Sequence, residues 1–295
     1  MLTHITKNSR SEGSDFRYSV LIPTWNNLPY LQLCIKSLRT NSSVALQIIV
    51  MINEGTDGTL EWVQAQPDLD YVHATQNIGI CYGLNIARSL AKARYLVYVN
   101  DDMYLLPQWD TAIDQEIESI GHHDFLLSCL VIEPHFTNNS CVLVQDYGDS
   151  CETFEESRLL EEHPTMCRED WNGSILPPQI LPTDLWDLVG GLSVEYSPGH
   201  GSGIDLCMKL WKTGVRHFRG VGSSKVYHFG SKTTRRLAAP PGRIEFLKKW
   251  GILPRFFADM YLKSGTPVNG QLVEPQLTFR DQLTNKIRLV TKSLH

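Results

Sequence analysis

The sequence predicts an α/β fold: a mostly parallel central sheet flanked by helices, followed by a C-terminal helical extension. Four short apolar runs support this, because continuous runs of this length are typical of strands covered on both faces. They are Tyr18–Pro23, Leu46–Ile52, Tyr71–Thr75 and Tyr95–Val99. Segments with helical spacing separate the runs, and such alternation implies right-handed crossovers between parallel strands.

The segments between the runs have the apolar spacing of helices. In residues 30–39, Leu31, Cys34, Ile35 and Leu38 recur at the three-, four- and seven-residue spacing of one helix face. Residues 79–93 have the same pattern. In sheets of this kind, ligands bind beyond the carboxyl ends of the strands. The loops at those ends are therefore the segments expected to carry chemistry: 23–27, 53–59 and 100–103.

The second half of the chain is less regular. Phe125–Ile132 is predicted as another buried strand, Asp205–Trp211 as a helix and Val226–Phe229 as a strand. Residues 145–185 have no sustained period and are predicted to form a long surface excursion. We expect residues 1–17 to be a disordered lead-in, residues 18–235 to form one domain, and residues 236–295 to form the helical extension.

Composition excludes several classes of protein. The net charge is −5, with 27 basic and 32 acidic residues and no long run of like charge, so nothing favours a nucleic-acid partner. The polar start and the lack of an 18-residue apolar window predict no transmembrane segment. Seven scattered cysteines are not a disulfide framework. We expect a cytoplasmic protein, with contact to the inner membrane face left open.

A pair of acidic residues ends the fourth predicted strand. Two adjacent carboxylates, Asp101 and Asp102, repel each other unless a cation or basic group neutralises them. Mg²⁺ and Mn²⁺ bind carboxylate oxygens and often substrate phosphates as well. The same residues could instead form a solvated turn that caps the next helix. His228 ends another apolar run and could complete the metal site or be a hydrogen-bonded core residue.

Two further loops carry polar groups. In residues 23–27, backbone amides and the Thr24 hydroxyl could hold a diphosphate or base, or could form a turn and helix cap. In residues 53–59, polar side chains beside two glycines could hold a base or ribose, or could turn the chain. Neither loop is specific alone.

Taken together, these segments resemble the glycosyltransferases of the GT-A fold, family 2, including bacterial rhamnosyltransferase-like members. SVLIPTWNN is similar to the family's first strand and nucleotide loop, and IIVMINEGTDGTLEWV to its second strand. YLVYVNDDM resembles the family's DxD metal motif, and KVYHF resembles the late strand whose histidine binds metal. The resemblance extends from about Tyr18 to Thr234, and residues 246–251 (FLKKWG) also fit it.

The resemblance implies transfer of a sugar, with inversion, from a nucleotide-diphosphate donor to a hydroxyl of a saccharide or glycan acceptor, as in polysaccharide biosynthesis. It implies Mn²⁺ or Mg²⁺ as cofactor, with Asp102 and His228 as ligands. Lys232, Arg235 and Arg236 could pair with diphosphate oxygens or form a solvated basic turn. The implied donor-binding residues are Pro23, Thr24, Trp25, Asn26, Asn53, Glu54, Asp57, Asn77, Gly83, Asn100 and Asp101.

Three features depart from the family pattern. Asn100 replaces the first acid of the metal motif, and Asn53 and Glu54 stand where Asp is usual. Glycine occupies position 203, where the resemblance implies the catalytic base. The remaining candidates for the base are Asp205 and then Glu195. Residues 145–200 are expected to cover the acceptor, and their aromatic residues either stack on sugars or pack in the core: Trp171, Trp186 and Tyr196.

Three other functions share some of these features. A non-catalytic nucleotide-sugar-binding protein on the same scaffold is the main alternative, because Gly203 could mark a lost base. A nucleotidyltransferase would carry glycine and basic residues in its first loop, and this chain has neither there. A structural zinc site from Cys141, Cys151, His163 and Cys167 lacks paired ligand spacing.

Overall fold

The computed structural model describes residues 3–13, 15–137, 139–173, 175–230 and 242–292, which form one large sheet with helices on both faces. The strands are β1 (Ile5–Asn8), β2 (Tyr18–Trp25), β3 (Leu46–Asn53), β4 (Leu69–Ala74), β5 (Tyr95–Tyr98), β6 (Met103–Leu105), β7 (Phe125–Glu133), β8 (Val142–Val144), β9 (Trp171–Asn172), β10 (Gln179–Pro182) and β11 (His217–His228). The predicted α/β class is confirmed.

The helices cover both faces of this sheet. They are α1 (Leu28–Asn41), α2 (Thr59–Gln64), α3 (Gly79–Ala87), α4 (Trp109–Ile120), α5 (Glu156–Glu162), α6 (Thr183–Leu188), α7 (Ser202–Lys212), α8 (Gly242–Trp250), α9 (Pro254–Phe256) and α10 (Phe279–Lys292). Within the described ranges, no helix combines the length and apolar character needed to cross a bilayer.

Four neighbouring strands of the sheet are parallel. The strand order is β1-β4-β3-β2-β5-β10-β7-β11-β6, with β8 beside β7 and β9 beside β11. The four apolar runs form β2, β3, β4 and β5, which pair in parallel. Their carboxyl ends therefore meet at one edge of the sheet, where ligand binding was expected.

The prediction of a surface excursion over residues 145–185 is wrong for the last part of that range. Residues Gln179–Pro182 form β10, a fully buried strand in the middle of the sheet. It runs antiparallel to both neighbours, pairing Gln179 with Tyr98 of β5 and with Ser128 of β7. A four-residue strand that ends in proline is too short to show a periodicity in the sequence.

The prediction of a disordered lead-in is also wrong. Residues Ile5–Asn8 form an edge strand that pairs antiparallel with β4. Beyond this strand, the Ser11 hydroxyl donates to Asp70 Oδ2 at 2.6 Å, and the Ser11 amide donates to Asp70 Oδ1 at 2.8 Å. The segment is polar because it is an exposed edge, and its fixing partner lies about sixty residues away. Local sequence therefore could not predict it.

Two apolar layers enclose the sheet. On one face, α1 and α4 contribute Leu31, Ile35 and Ile113. On the other, α7 contributes Trp211, which packs in the same cluster as Phe246 of α8 and Phe257. The C-terminal helices α8 and α9 therefore complete the core of the main domain.

Candidate active site

A cavity of about 300 Å³ opens at the carboxyl edge of β2, β3 and β5. Most of its wall comes from the loops after these strands, from residues 175–179 and from the turn before α7. The residues that line it are Pro23, Thr24, Trp25, Asn53, Asn77, Gly79, Ile80, Tyr98, Asn100, Asp101, Asp102, Ile175, Leu176, Pro177, Gln179, Pro198, Gly199, His200, Gly201, Ser202, Gly203 and Ile204.

Asp102 and His228 lie next to each other. His228 is the last residue of β11, which pairs antiparallel with β6 so that His228 is opposite Met103. This register brings His228 Nε2 to 3.3 Å from Asp102 Oδ1. Both residues are buried, with 6% and 3% of their surface exposed. Sheet register thus joins two groups that the sequence places far apart.

Glu133 holds the other side of the imidazole. It is the last residue of β7, the parallel neighbour of β11, and its Oε1 lies 2.6 Å from His228 Nδ1. Burial alone would lower the pKa of His228, but the carboxylates of Asp102 and Glu133 raise that pKa to about 10. When Nδ1–H donates to Glu133, the ring is held with Nε2 toward Asp102.

The Asp102–His228 pair fits a divalent ion. Cis ligands with bonds of about 2.1 Å lie roughly 3.0 Å apart in an octahedron, close to the observed 3.3 Å. Carboxylate with imidazole suits Mn²⁺ and tolerates Mg²⁺. In the described part of the chain, no three His, Cys, Asp or Glu side chains are grouped to hold a metal. Oxygens of a bound substrate would have to supply further ligands.

A zinc site would also need grouped ligands. The side chains of Cys141, Cys151, His163 and Cys167 do not form a ligand group within the described ranges. None of the seven cysteines, all of which lie in the described ranges, forms a disulfide. The described residues therefore give structural zinc no support.

Glu133 was not among the predicted site residues, although the sequence carries a signal for it. Like Asn100-Asp101-Asp102, this residue comes directly after a run of apolar residues, and a proline comes next. A carboxylate in that position faces the same sheet edge. What the sequence does not reveal is that β7 and β11 are neighbours.

Asn26 and Glu54, which were predicted to bind the donor, join the first two loops to each other. Asn26 Oδ1 accepts hydrogen bonds from the amides of Gly55 and Thr56 at 3.0 and 2.8 Å, and its Nδ2 donates to Glu54 Oε2 at 3.1 Å. Neither residue lines the cavity. They fix the positions of neighbours that do.

Asp57 and Gly83 have supporting positions as well. Asp57 accepts from the Leu28 amide at 2.9 Å and from the Thr59 hydroxyl at 2.6 Å. Burial would raise the pKa of Asp57, but these hydrogen bonds lower it. A Cβ at Gly83 would lie 2.7 Å from Met51 Cγ, so glycine allows α3 to pack closely on β3. Both residues lie outside the cavity lining.

Three predicted asparagines face the cavity with their carbonyl oxygens already engaged. Asn53 Oδ1 accepts from the Ile78 amide at 2.9 Å, and Asn77 Oδ1 accepts from the Gly79 amide at 2.8 Å. Asn100 Oδ1 accepts from the Tyr98 hydroxyl at 2.9 Å. These bonds fix the orientation of each amide group before any ligand binds.

Three polar atoms of cavity-lining residues are buried and have no hydrogen-bond partner among the described residues. They are Thr24 Oγ1, Gln179 Oε1 and His200 Nε2. Because buried polar atoms rarely stay without a partner, these three are candidates to bind a ligand that enters the cavity. Thr24 was predicted as a donor contact. Gln179 and His200 were not, because they lie in segments without periodicity.

The two predicted bases do not line the cavity. Asp205 is completely buried, and its oxygens accept from Ser193 Oγ at 2.5 Å, Trp250 Nε1 at 2.7 Å and Lys249 Nζ at 3.0 Å. Glu195 pairs with the same Lys249 at 2.8 Å. Lys249 and Trp250 belong to FLKKWG, so Asp205 ties α7 to α8.

The three aromatic residues that could have stacked on an acceptor sugar are likewise part of the core. Trp171, Trp186 and Tyr196 are 3%, 2% and 1% exposed, and none lines the cavity. These aromatic residues therefore pack in the core and do not face a sugar in the cavity. Lys232, Arg235 and Arg236 lie outside the described residues.

Comparisons with known proteins bear on the family and the fold. Residues 19–161 match the family model described as glycosyl transferase family 2. No curated protein matches the chain. Among solved structures, the chain is similar to Staphylococcus aureus TarS 1-349, with 14% identity and a TM-score of 0.56 over 94% of this chain and 72% of that one.

Two further structures have the same fold. TarS 1-349 in complex with UDP is 13% identical with a TM-score of 0.55, over 94% of this chain and 72% of that chain. GalNAc-T7 with UDP, GalNAc and Mn²⁺ is 12% identical with a TM-score of 0.55, over 94% of this chain and 48% of that one. The predicted GT-A architecture and the resemblance to family 2 are confirmed.

Replacing Asp205 with alanine should destabilise the protein. The change would leave the partly buried Trp250 N–H without its acceptor and Lys249 with Glu195 as its remaining partner, so we expect the free energy of unfolding to fall by about 1–3 kcal/mol. Urea unfolding measures this loss. Asp259→Ala is the control, because its ion pair with Arg255 is exposed and should be worth less than about 1 kcal/mol. Equal effects of the two changes would contradict the anchoring role.

Proposed function

We propose that this chain, whose residues 19–161 match the model of glycosyl transferase family 2, transfers a sugar from a nucleotide-diphosphate donor to a hydroxyl of a saccharide or glycan acceptor, with inversion. The observation that carries the proposal is the Asp102–His228 contact at 3.3 Å, beside a cavity at the strand ends. The cavity lies where an α/β sheet ordinarily binds nucleotides.

A divalent ion, Mn²⁺ or Mg²⁺, is part of the proposal. Asp102 and His228 would hold it, and Glu133 would orient His228 through the 2.6 Å contact. Such an ion supplies Lewis-acid stabilisation of the charge that develops on the leaving diphosphate. Two protein ligands leave room for phosphate oxygens, which is the usual arrangement for Mg²⁺ at phosphate substrates. The Mn²⁺ named with GalNAc-T7 supports the choice of ion.

The donor would occupy the cavity along the carboxyl ends of β2, β3 and β4 and the loops that follow them. Thr24 contributes a buried hydroxyl without a partner among the described residues, and Asn53 and Asn77 contribute oriented amides. Asn100 and Asp101 lie nearer the proposed ion and would face the ribose and diphosphate. The UDP and UDP-GlcNAc named with TarS support a uridine nucleotide as the first donor to test.

An inverting transfer needs a base beside the acceptor. The acceptor oxygen bonds to the anomeric carbon as the bond from that carbon to the diphosphate oxygen breaks, and the acceptor's proton passes to the base. Asp205 and Glu195 were the expected candidates, but both are engaged by Lys249 away from the cavity. We therefore assign the base to His200, which lines the cavity.

The other titratable groups described in the lining suit the role less well. Burial raises the pKa of the Tyr98 phenol, which therefore stays protonated at neutral pH. Asp102 is committed to the metal site and Asp101 adjoins it. His200 Nε2 has no partner among the described residues, so the ring can turn toward an acceptor without breaking a hydrogen bond.

A nucleotide-sugar-binding protein without catalytic activity is the second candidate, and Gly203 favours it. A Cβ at this position would lie 3.1 Å from the Ile175 carbonyl oxygen, so this part of the wall is closely packed around glycine. Release of UDP from UDP-sugars, measured with and without a panel of saccharide acceptors, separates the two functions. Binding without release under any condition would favour the second candidate.

Substitutions around the proposed ion should have graded effects. Asp102→Ala removes a ligand and should abolish metal-dependent turnover with the fold intact. Glu133→Gln leaves both ligands but weakens the orientation of His228, so we expect Mn²⁺ affinity to fall about 10–100-fold. Calorimetric titration of Mn²⁺ in the presence of UDP measures the Mn²⁺ affinity of both variants. Glu161→Gln, a change at an exposed residue, is the control. Unchanged affinity in Asp102→Ala would refute the assignment of the metal ligands.

Substitutions at His200 and Asp205 should distinguish the proposed base from the residue that fixes α7 to α8. Loss of a general base lowers kcat by about 10²–10⁴, and the KM for donor should stay near its original value. Asp205→Asn should lower the melting temperature. At a temperature where this variant is still folded, its turnover rate should change little. The base assignment fails if Asp205→Asn is folded yet inactive while His200→Gln retains its rate.

A further inference from the structure

Helix α10 turns its apolar face outward. Phe279, Leu283 and Ile287 are 79%, 46% and 54% exposed and are spaced four residues apart, so they form one stripe along the helix. A surface helix of a globular protein ordinarily buries this stripe against the core. Here the stripe is on the outside.

The opposite side of α10 strengthens the point. Asn285 is only 5% exposed, and its Oδ1 has no hydrogen-bond partner among the described residues. The helix therefore directs an amide inward and three large apolar side chains outward. This arrangement does not stabilise the monomer, and an exposed apolar patch of this kind marks a surface that binds something else.

Charge identifies the partner. The sequence of α10, FRDQLTNKIRLVTK, contains four basic residues and one acidic residue, a net charge of +3, whereas the whole chain has −5. With about 100° of rotation per residue, Arg280 and Lys286 flank the stripe on its two sides. Long basic side chains beside an apolar stripe can reach anionic groups while the stripe enters an apolar phase.

We propose that α10 docks the protein on the surface of an anionic lipid bilayer, lying in the plane of the interface with its apolar stripe inserted. A basic amphipathic helix has the required chemistry. Its 14 residues span about 21 Å, less than the hydrocarbon thickness of roughly 30 Å, so the helix lies on the membrane. Two copies paired through this face would bring like charges together, which disfavours a dimer.

Vesicle sedimentation tests the proposal. We expect the chain to bind phosphatidylglycerol-containing vesicles, to bind phosphatidylcholine vesicles at least tenfold more weakly, and to be released by high salt. The double variant Leu283→Glu with Ile287→Glu should lose at least tenfold in partitioning, because each apolar side chain contributes more than a factor of ten when buried. The matched control is Leu188→Glu with Val273→Glu. These two residues lie outside α10 and are 67% and 63% exposed.

Several outcomes would overturn the docking proposal. The first is equal binding to both vesicle types, and the second is an equal loss of binding in the two double variants. The third is a chain that binds no lipid but forms a dimer in light scattering, with the dimer abolished by Leu283→Glu with Ile287→Glu. Circular dichroism confirms that each variant is folded. UDP release from a soluble donor should be the same in all of them, so failure of docking is distinguishable from failure of the proposed catalysis.

Discussion

The site depends on the burial of His228 between two carboxylates. Asp102 lies 3.3 Å from one nitrogen of the ring and Glu133 lies 2.6 Å from the other, and all three groups are largely removed from water. Burying charge is costly unless each group has a partner of opposite sign. A proton or a divalent ion at Nε2 satisfies this need, and the sheet supplies the geometry: β7 ends at Glu133, β11 ends at His228, and β6 begins directly after Asp102.

The surrounding polar residues divide into two sets. Asn26, Glu54 and Asp57 direct their hydrogen bonds to neighbouring loops, whereas Thr24 and Asn53 face the cavity. The first set holds the second in place before a ligand arrives. Preorganisation of this kind reduces the entropy lost on binding, and small displacements of reacting groups are costly.

Sequence patterns predicted what depends on local order. The runs that became β2, β3 and β5 are continuous because both faces of each strand are covered, and acidic residues at a strand end mark the ligand edge. The patterns could not predict what depends on distant neighbours. Strand β10 is buried by β5 and β7, Glu133 acquires its function only beside β11, and the fixing of Asp205 by Lys249 and Trp250 requires α8 to pack on α7. Local composition carries none of those contacts.

The most direct test of the central claim is anomalous diffraction from a crystal grown with MnCl₂ and UDP. We expect one strong manganese peak within about 2.3 Å of both an Asp102 oxygen and His228 Nε2, with diphosphate oxygens on its open side and Glu133 still bound to Nδ1. A manganese peak elsewhere with UDP in the cavity, or His228 turned away from Asp102, would contradict it.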